Sequence, residues 1–529
     1  MLIVGAGYAG LSAAVSLAWR GIPPLLVERH PGTSVRPKAY GLNHRAMELL
    51  RQAPGLEEAL RTEALTFHRL VERSFAGCVP PIPLPEPGRP SGLIERLTPV
   101  ADLGLYQDHV EGILRAKAED LGANLRFATE LTSLRQDPDG VTATVEAATG
   151  VRRTIRAEYL IAADGHDSPV RTALRTPTRG MGELARTHLV AFRAGLSGAA
   201  PNVDLELYHL LHRDPMVAVA FGSTRADTDT HLLRLTCPPN REAVRAGLRP
   251  ERCAELIRSA TGLPGLDVEV LDQSAFSVGH LLAERFSTGR VFLAGDAAHV
   301  MPPSGGQASS AAVHDGWDIG WRLALVLTGQ AGPDLLDTYD AERRPVCHLI
   351  ADFQLANWFA RTPGTVPPAE PTEPVDPARL TFGHRYRSGA VIQDEGADED
   401  GPVTEDPFAQ TGRPGGRAPH VILERGGEPL STLDLFGPDL VLLAGPSGAD
   451  WADAARDAAA RLGVRLTVHR IGTDLSDPTG TWCARYGVGP AGASLVRPDG
   501  HVAWRSRGRA DDAPRVLREA LARILARVA

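Results

Sequence analysis

The chain alternates between short, unbroken apolar runs and longer stretches of mixed polarity. Four runs, Leu2–Val4, Leu25–Val27, Tyr159–Ala163 and Val291–Ala294, predict strands buried on both faces. Between the first two, residues 11–21 are largely apolar and end in glycine, which predicts a buried helix. Pro23 and Pro24 hold the second strand back to Leu25, because proline is tolerated at the start of a strand and not in its middle. Residues 179–272 change character: HLVAFRAGL, VDLELYHLLH, MVAVAFG and THLLRLTCP read as strands, with a helix near Glu251 to Thr261. This predicts an antiparallel sheet inserted between the buried strands, a natural wall for a substrate.

Helical spacing recurs elsewhere. Ala312, Asp315, Ile319 and Leu323 fall on one helical face, and Asn43 is placed to cap a helix after it. Tyr106-Gln107-Asp108 opens another through Leu121, with Asp108 expected as N-cap. Leu335 to Arg361 predicts a long helix kinked at Pro345. The proline-dense segment from Val79 to Gly92 predicts an excursion without regular structure. From about Leu433 the order is strand, helix, strand, a hairpin turned at Pro498-Asp499-Gly500, and a last helix, the order of a thioredoxin-like layer. The stretch Gly445 to Asp450 reads GPSGAD where such a layer carries CxxC, so dithiol chemistry is not expected.

The chemistry concentrates where apolar runs end. Met1 to Gly10 reads MLIVGAGYAG, a GxGxxG behind a strand, followed by helix, strand and Glu28. That is a complete dinucleotide fingerprint of a Rossmann-like domain: Gly5 for the tight turn, Gly7 for close approach to a pyrophosphate, Gly10 for helix packing and Glu28 for ribose hydroxyls. Tyr8 and Ala9 lie inside it, and Arg29 follows the acid. Lys38 and Arg45, with Arg36, are candidates for cofactor phosphates, and Gln107 sits at its helix's mouth. The strand Tyr159–Ala163 runs into Asp164-Gly165 and on to Ser168 and Arg171. The strand Val291–Ala294 likewise runs into Gly295-Asp296, then a loop broken by Pro302, Pro303, Gly305 and Gly306 before Ser309 and Ser310. A carboxylate at a strand's end accepts from sugar hydroxyls, and a glycine-rich loop opening a helix points N–H groups at anionic atoms.

Composition narrows the partners. The 529 residues are 43% hydrophobic and 23% charged, with a net charge of −8, so the chain lacks the basic footprint of a nucleic-acid or acidic-membrane binder. No apolar run approaches the roughly 20 residues of a membrane span. Five cysteines without CxxC spacing argue against a disulfide framework or structural zinc, and no metal site is expected. A cytoplasmic protein, monomer or homodimer, fits this composition.

The signatures GAGYAG…E, YLIAADGHDSPVR and GRVFLAGDAAHVMPPSGGQ together resemble those of the single-component FAD aromatic hydroxylases, the group of p-hydroxybenzoate and phenol hydroxylases. RYRSGAV (385–391) and ASLVRPDGHVAWR (493–505) look more particularly like actinobacterial hydroxylases of aromatic polyketides, acting on aklavinone or angucyclines. The resemblance implies an α/β protein: a Rossmann-like FAD-binding domain (1–178 with an excursion near 69–100, and 273–362), an inserted antiparallel-sheet substrate domain (179–272), a linker and substrate-side segment (363–390), and a C-terminal thioredoxin-like domain (391–529). It implies bound FAD, transient NADPH, O2 and a polycyclic phenolic substrate hydroxylated through a flavin C4a-hydroperoxide. By the same likeness the glycines and Glu28 hold the adenosine half, Gln107 lies beside it, Asp296 meets ribitol or ribose oxygens, and Asp164 lies between the FAD and NADPH sites. Ser310 stands where relatives commonly have an asparagine touching the flavin, and Lys38 where they often have arginine. Tyr208, on the inserted sheet, and Arg385 are the candidates for activating the phenol. Two alternatives stay open: a Baeyer–Villiger or epoxidising oxygenase on this scaffold, and a non-oxygenating flavoprotein dehydrogenase.

Overall fold

The computed structural model describes all residues except 36–37, 65–68, 71–91, 196–205, 212–217, 224–229, 238–247, 262, 362–374, 397–399 and 529. The apolar runs do become the centre of the molecule. β1 (Leu2–Val4), β2 (Leu25–Val27), the strand Asn124–Arg126, β3 (Leu160–Ala162) and β4 (Val291–Leu293) form a parallel sheet, edged by the antiparallel strand Ser287–Thr288. Sequence-distant strands are neighbours here, since β3 pairs with both β1 and β4.

Two helices start from the carboxyl edge of this sheet. α1 (Tyr8–Trp19) follows β1, and α2 (Ala308–Leu327) follows the loop after β4. α2 is buried on almost every side, as a helix must be when it has packing partners all round. Gly316 and Gly320 make its crossing with α1 close. A Cβ at Gly316 would run into the Ala9 carbonyl, and one at Gly320 into the Ser16 side chain, whose Oγ donates to the Trp317 carbonyl at 3.0 Å. The far side of α2 belongs to a second core, where Trp321 and Leu325 pack with residues of the C-terminal unit.

The inserted sheet is present and larger than expected. Its long central strands, β5 (Thr178–Arg193) and β6 (Glu269–Ala283), pair antiparallel, so the sheet runs on to Ala283 rather than ending at 272. β7 (Thr230–Cys237) pairs with β5, the strand Ala218–Ser223 with β7, and Glu206–Leu211 with that. The helix Pro250–Thr261 covers one face, burying Cys253 and Ile257 against Val190, Phe192, Leu233 and Leu235.

The C-terminal unit has strands Leu440–Ala444, Leu466–Arg470, Ala493–Val496 and Val502–Ser506, with helices Ala449–Leu462 and Ala513–Ile524. The first pair is parallel and the others antiparallel, giving the thioredoxin-like layer read from the sequence. The long helix Asp337–Arg361 continues through Pro345. Asn43 caps as expected, its side chain accepting from Ala46 N at 2.9 Å. Asp108 does not: that helix begins at Gln107 with Tyr106 as an N-cap that makes no side-chain hydrogen bond, and Asp108 lies in the first turn. The Val79–Gly92 excursion falls almost wholly outside the described residues.

Candidate active site

The strands end level. Val4 pairs with both Val27 and Ala162, and Ala162 with Leu293, so Glu28, Gly5, Asp164 and Gly295-Asp296 emerge in one row at the carboxyl edge of the sheet. Ligands of open α/β sheets bind at that edge.

Gly5 has a φ of +104°, and a Cβ there would run into the Ala163 carbonyl; a Cβ at Gly10 would run into the Gly5 carbonyl. These are the two places where the turn needs glycine for conformation and close approach. Gly7 is the N-cap of α1 and offers no side-chain cap, which leaves the first N–H groups of the helix available to an anion. Ala9 packs against the Gly295 turn, and a Cβ at Gly295 would be 3.0 Å from the Ala9 Cβ. Tyr8 is buried, its hydroxyl unpartnered among the described residues, and burial holds it well above the usual tyrosine range. Glu28 Oε2 accepts from Ala6 N at 2.8 Å and Oε1 from His30 N at 2.9 Å, while Arg29 lies exposed beside it.

Gln107 is held from two sides. Its Nε2 donates to Glu111 Oε1 at 2.6 Å, and its backbone N–H donates to the Ala39 carbonyl at 3.0 Å. Glu111, missed in the sequence, also accepts from Ser34 N at 2.9 Å and lies 3.7 Å from where a Gly7 Cβ would be. Burial raises its carboxyl. The Gln107–Glu111 spacing of four along a helix was the available signal.

Asp164 accepts from Ser168 Oγ at 2.6 Å and Val170 N at 3.0 Å, and burial raises it above the usual carboxylate range. Arg171 joins this turn to the next one, donating to the His166 carbonyl at 2.7 Å and the Ala297 carbonyl at 2.9 Å. Asp296 is the one exposed position between Val291 and His299. Protein crowds its other sides, which raises the carboxyl against the pull of His299, His166, Lys38 and Arg171. Lys38 is itself exposed and acts on both Asp296 and Glu111. Beneath the turn, Asp315 Oδ2 accepts from Gly295 N at 3.0 Å and pairs with His299 at 2.6 Å, while Arg343 bonds its other oxygen at 2.9 Å. His299, Asp315 and Cys347 form a buried donor group the sequence reading missed, with ligand atoms within 4.8 Å. The Arg343 guanidinium bonded to that carboxylate opposes a second cation there.

Pro302 is buried, and Gly305 and Gly306 have φ of +137° and +65°, leading into Gln307, whose side chain does not cap α2. Ser309 and Ser310 spend their hydroxyls on the neighbouring segment: Ser309 Oγ donates to the Gly41 carbonyl and Ser310 Oγ accepts from Asn43 N, both at 2.9 Å. Asn43 Nδ2 also donates to Gln307 Oε1 at 2.8 Å.

Two candidates, Arg45 and Arg385, land elsewhere. Arg45 is a correction: it is buried, bonded to Glu48 at 3.0 Å and to the Asp499 carbonyl, because its side chain points from its helix into the C-terminal unit. Arg385 is buried in the segment leading to that unit, its N–H bonded to the Val403 carbonyl and its charge acting on Glu405. Tyr208 is described by its backbone alone, level with Phe221, Leu233 and Val190, the row whose last two members lie under the helix Pro250–Thr261. Arg36 lies outside the described residues.

The chain as a whole has counterparts among known proteins. Residues 1–354 match the FAD binding domain family, and residues 411–528 match the family described as aromatic-ring hydroxylase, C-terminal. The chain belongs to the FAD-binding aromatic-ring hydroxylases. It is 41% identical to an aklavinone 12-hydroxylase of Streptomyces purpurascens, over 100% of this chain and 99% of that one. It is 38% identical to a 4-methyl-5-nitrocatechol 5-monooxygenase of a Burkholderia species, over 100% and 97%. Among solved structures it resembles aklavinone-11 hydroxylase in ternary complex with FAD and aklavinone, with a TM-score of 0.91, 40% identity and coverage of 99% and 98%. The relatives of this chain are thus flavin monooxygenases acting on aromatic compounds.

Proposed function

We propose that this chain is an FAD-dependent, NAD(P)H-consuming monooxygenase that hydroxylates a polycyclic aromatic phenol of polyketide type. The observation that carries the reading is the level row of Glu28, Gly5, Asp164 and Asp296, with two uncapped helix mouths beside it. The cradle fits FAD on its own geometry. Gly5 and Gly10 let the turn close against the Ala163 and Gly5 carbonyls, Gly7 leaves the mouth of α1 clear of any side chain, and an exposed carboxylate stands after β4.

Glu28 would hold the ribose, the α1 mouth the pyrophosphate, and Asp296 the ribitol hydroxyls. When bound, FAD supplies the electron transfer and oxygen activation, for which no side chain here substitutes. The chain's own residues do the rest. The mouth of α2 favours negative charge placed before it. Lys38 offsets the Asp296 and Glu111 carboxyls, and Arg171 fixes the Asp164 turn against the Asp296 turn. The inserted sheet closes the far side and excludes water. The polycyclic class is supported by similarity to aklavinone hydroxylases; similarity to a nitrocatechol monooxygenase keeps a single-ring substrate as the second reading.

The test is turnover of purified, FAD-loaded protein with NADPH, NADH and a panel of polycyclic and monocyclic phenols under 18O2. Substrate-accelerated NADPH consumption with one labelled oxygen atom in a ring-hydroxylated product is expected. Oxidation of substrate without need of O2 would instead make it a dehydrogenase, and an oxygen inserted into a carbon–carbon bond would make it a Baeyer–Villiger enzyme.

A further inference from the structure

β7 presents two faces. Leu233 and Leu235 turn to the covering helix, whereas Leu232 packs with Leu189 and Tyr106, with Tyr40, Ala191 and Phe276 at the margin of that cluster. Arg234 lies on this second face, level with Leu189 on one neighbouring strand and Ala220 on the other. Arg234 is half-buried there, and a guanidinium set into an apolar sheet face is unfavourable unless something uses its charge.

Among the described residues, no carboxylate uses it. Among the described residues Arg234 makes no ion pair, and its one hydrogen bond runs from Nη2 to the Lys38 carbonyl at 2.9 Å. Burial lowers its pKa, with Tyr106 pulling the other way, and burial pushes the Tyr106 hydroxyl up to about 12. Tyr106 and Tyr40 meet edge-on, ring centroids 4.9 Å apart at 64°.

The place of this cluster is decisive. The segment from Lys38 to Asn43 is bonded on one side to the first turn of α2, through Ser309 and Ser310, and on the other to Arg234. Arg234 therefore stands on the substrate sheet at its junction with the cofactor cradle, beside an aromatic and aliphatic wall.

We propose that Arg234 is a specificity-determining residue that receives an ionised phenolic oxygen of the substrate, while the ring system lies against Tyr106, Leu189 and Leu232. This rests on the aromatic-oxygenase reading above. A cation facing an apolar wall lowers the pKa of a phenol set against it, and the phenolate ring is the more electron-rich form. Nη1 remains to hold that oxygen while Nη2 keeps the Lys38 carbonyl.

The experiment compares binding of 1,2-dihydroxyanthraquinone and its dimethyl ether to FAD-loaded wild type, Arg234→Lys and Arg234→Met, with FAD affinity measured separately. Wild type should prefer the free phenol by roughly tenfold to a hundredfold, the scale of a charged hydrogen bond. Arg234→Met should bring the two probes within about twofold, Arg234→Lys should keep part of the preference, and FAD affinity should stay the same in all three. An unchanged preference in Arg234→Met overturns the assignment, as does loss of FAD, which would make Arg234 a support for the Lys38 segment instead. If FAD-loaded wild type binds neither anthraquinone but binds catechol, the polycyclic reading falls, and the same comparison made with catechol and its dimethyl ether decides Arg234.

Discussion

At the scale of single residues, Asp296 shows how one position is set apart by its surroundings. It is exposed at the end of a run of buried residues, and its backbone turn is pinned from below by Asp315 accepting from Gly295 N. Among the described residues no hydrogen bond to the Asp296 carboxylate competes with a ligand. Asp296→Ala should weaken FAD binding by about tenfold to a hundredfold, the contribution of one or two charge-assisted hydrogen bonds. Flavin fluorescence titration measures this, and an unaltered dissociation constant would remove Asp296 from the cofactor's contacts. The strand ends were legible in the sequence because an uninterrupted apolar run followed by glycine and an acid is local. Arg45 was not, because whether an arginine meets a phosphate or a buried Glu48 depends on a C-terminal unit hundreds of residues away in sequence. Arg234 was missed for a related reason: alternation marks it as one polar position of THLLRLTC, and only the pairing register shows which face it shares.

At the scale of elements, the crossing of α1 and α2 governs the cradle. Gly316 meets the Ala9 carbonyl within the first turn of α1, so a methyl group there must push the helices apart. Gly316→Ala should cost about 3 kcal/mol of stability and loosen FAD as well. Chemical denaturation followed by flavin release would show both midpoints falling together, and a stable variant with normal flavin content would mean the crossing adjusts. The two glycines lie within the helical pattern read for this region, yet their spacing was not singled out, because close helix approach is a property of two surfaces and not of one.

At the scale of the whole molecule, the C-terminal unit is fastened by buried charge. Arg497 bonds both oxygens of Glu342 at 2.7 Å, and Arg417 joins Glu48 at 2.9 Å. His314, His384 and His501 lie between these pairs, their rings 5.6 and 6.4 Å apart around His314. Burial lowers all three, His501 to about 4 from an ordinary 6.5, outweighing the nearby Asp499. Neutral in the folded state, they take up protons on unfolding below about pH 6.5, so stability is full above that value and declines toward pH 4. His501 alone accounts for a loss on the order of 3 kcal/mol at pH 4. Glu48, held at about 2 against the pull of burial by Arg417 and Arg45, adds a further loss below its ordinary range of about 4.5. His299 works in the opposite sense: raised by Cys347 and Asp315, its contribution is present below pH 6.5 and lost as pH rises through its elevated value. Thermal unfolding should therefore fall steeply between pH 6.5 and 4, and a flat melting temperature across that interval would mean water reaches the histidines. The thioredoxin-like order was readable from its alternating elements. Its fastening was not, since the sequence separates Glu48 from Arg417 by 369 positions.

The close passage of α1 against α2 also works as a ruler. One helix opens at the Gly5–Gly10 turn and the other at the Gly305–Gly306 loop, and because Gly316 leaves no slack between them, the distance between their two mouths is built into the backbone. A flavin lacking the adenylate half has nothing to set against the fingerprint end. On the proposed placement of FAD, cofactor length is gauged by helix contact, before any side chain is consulted.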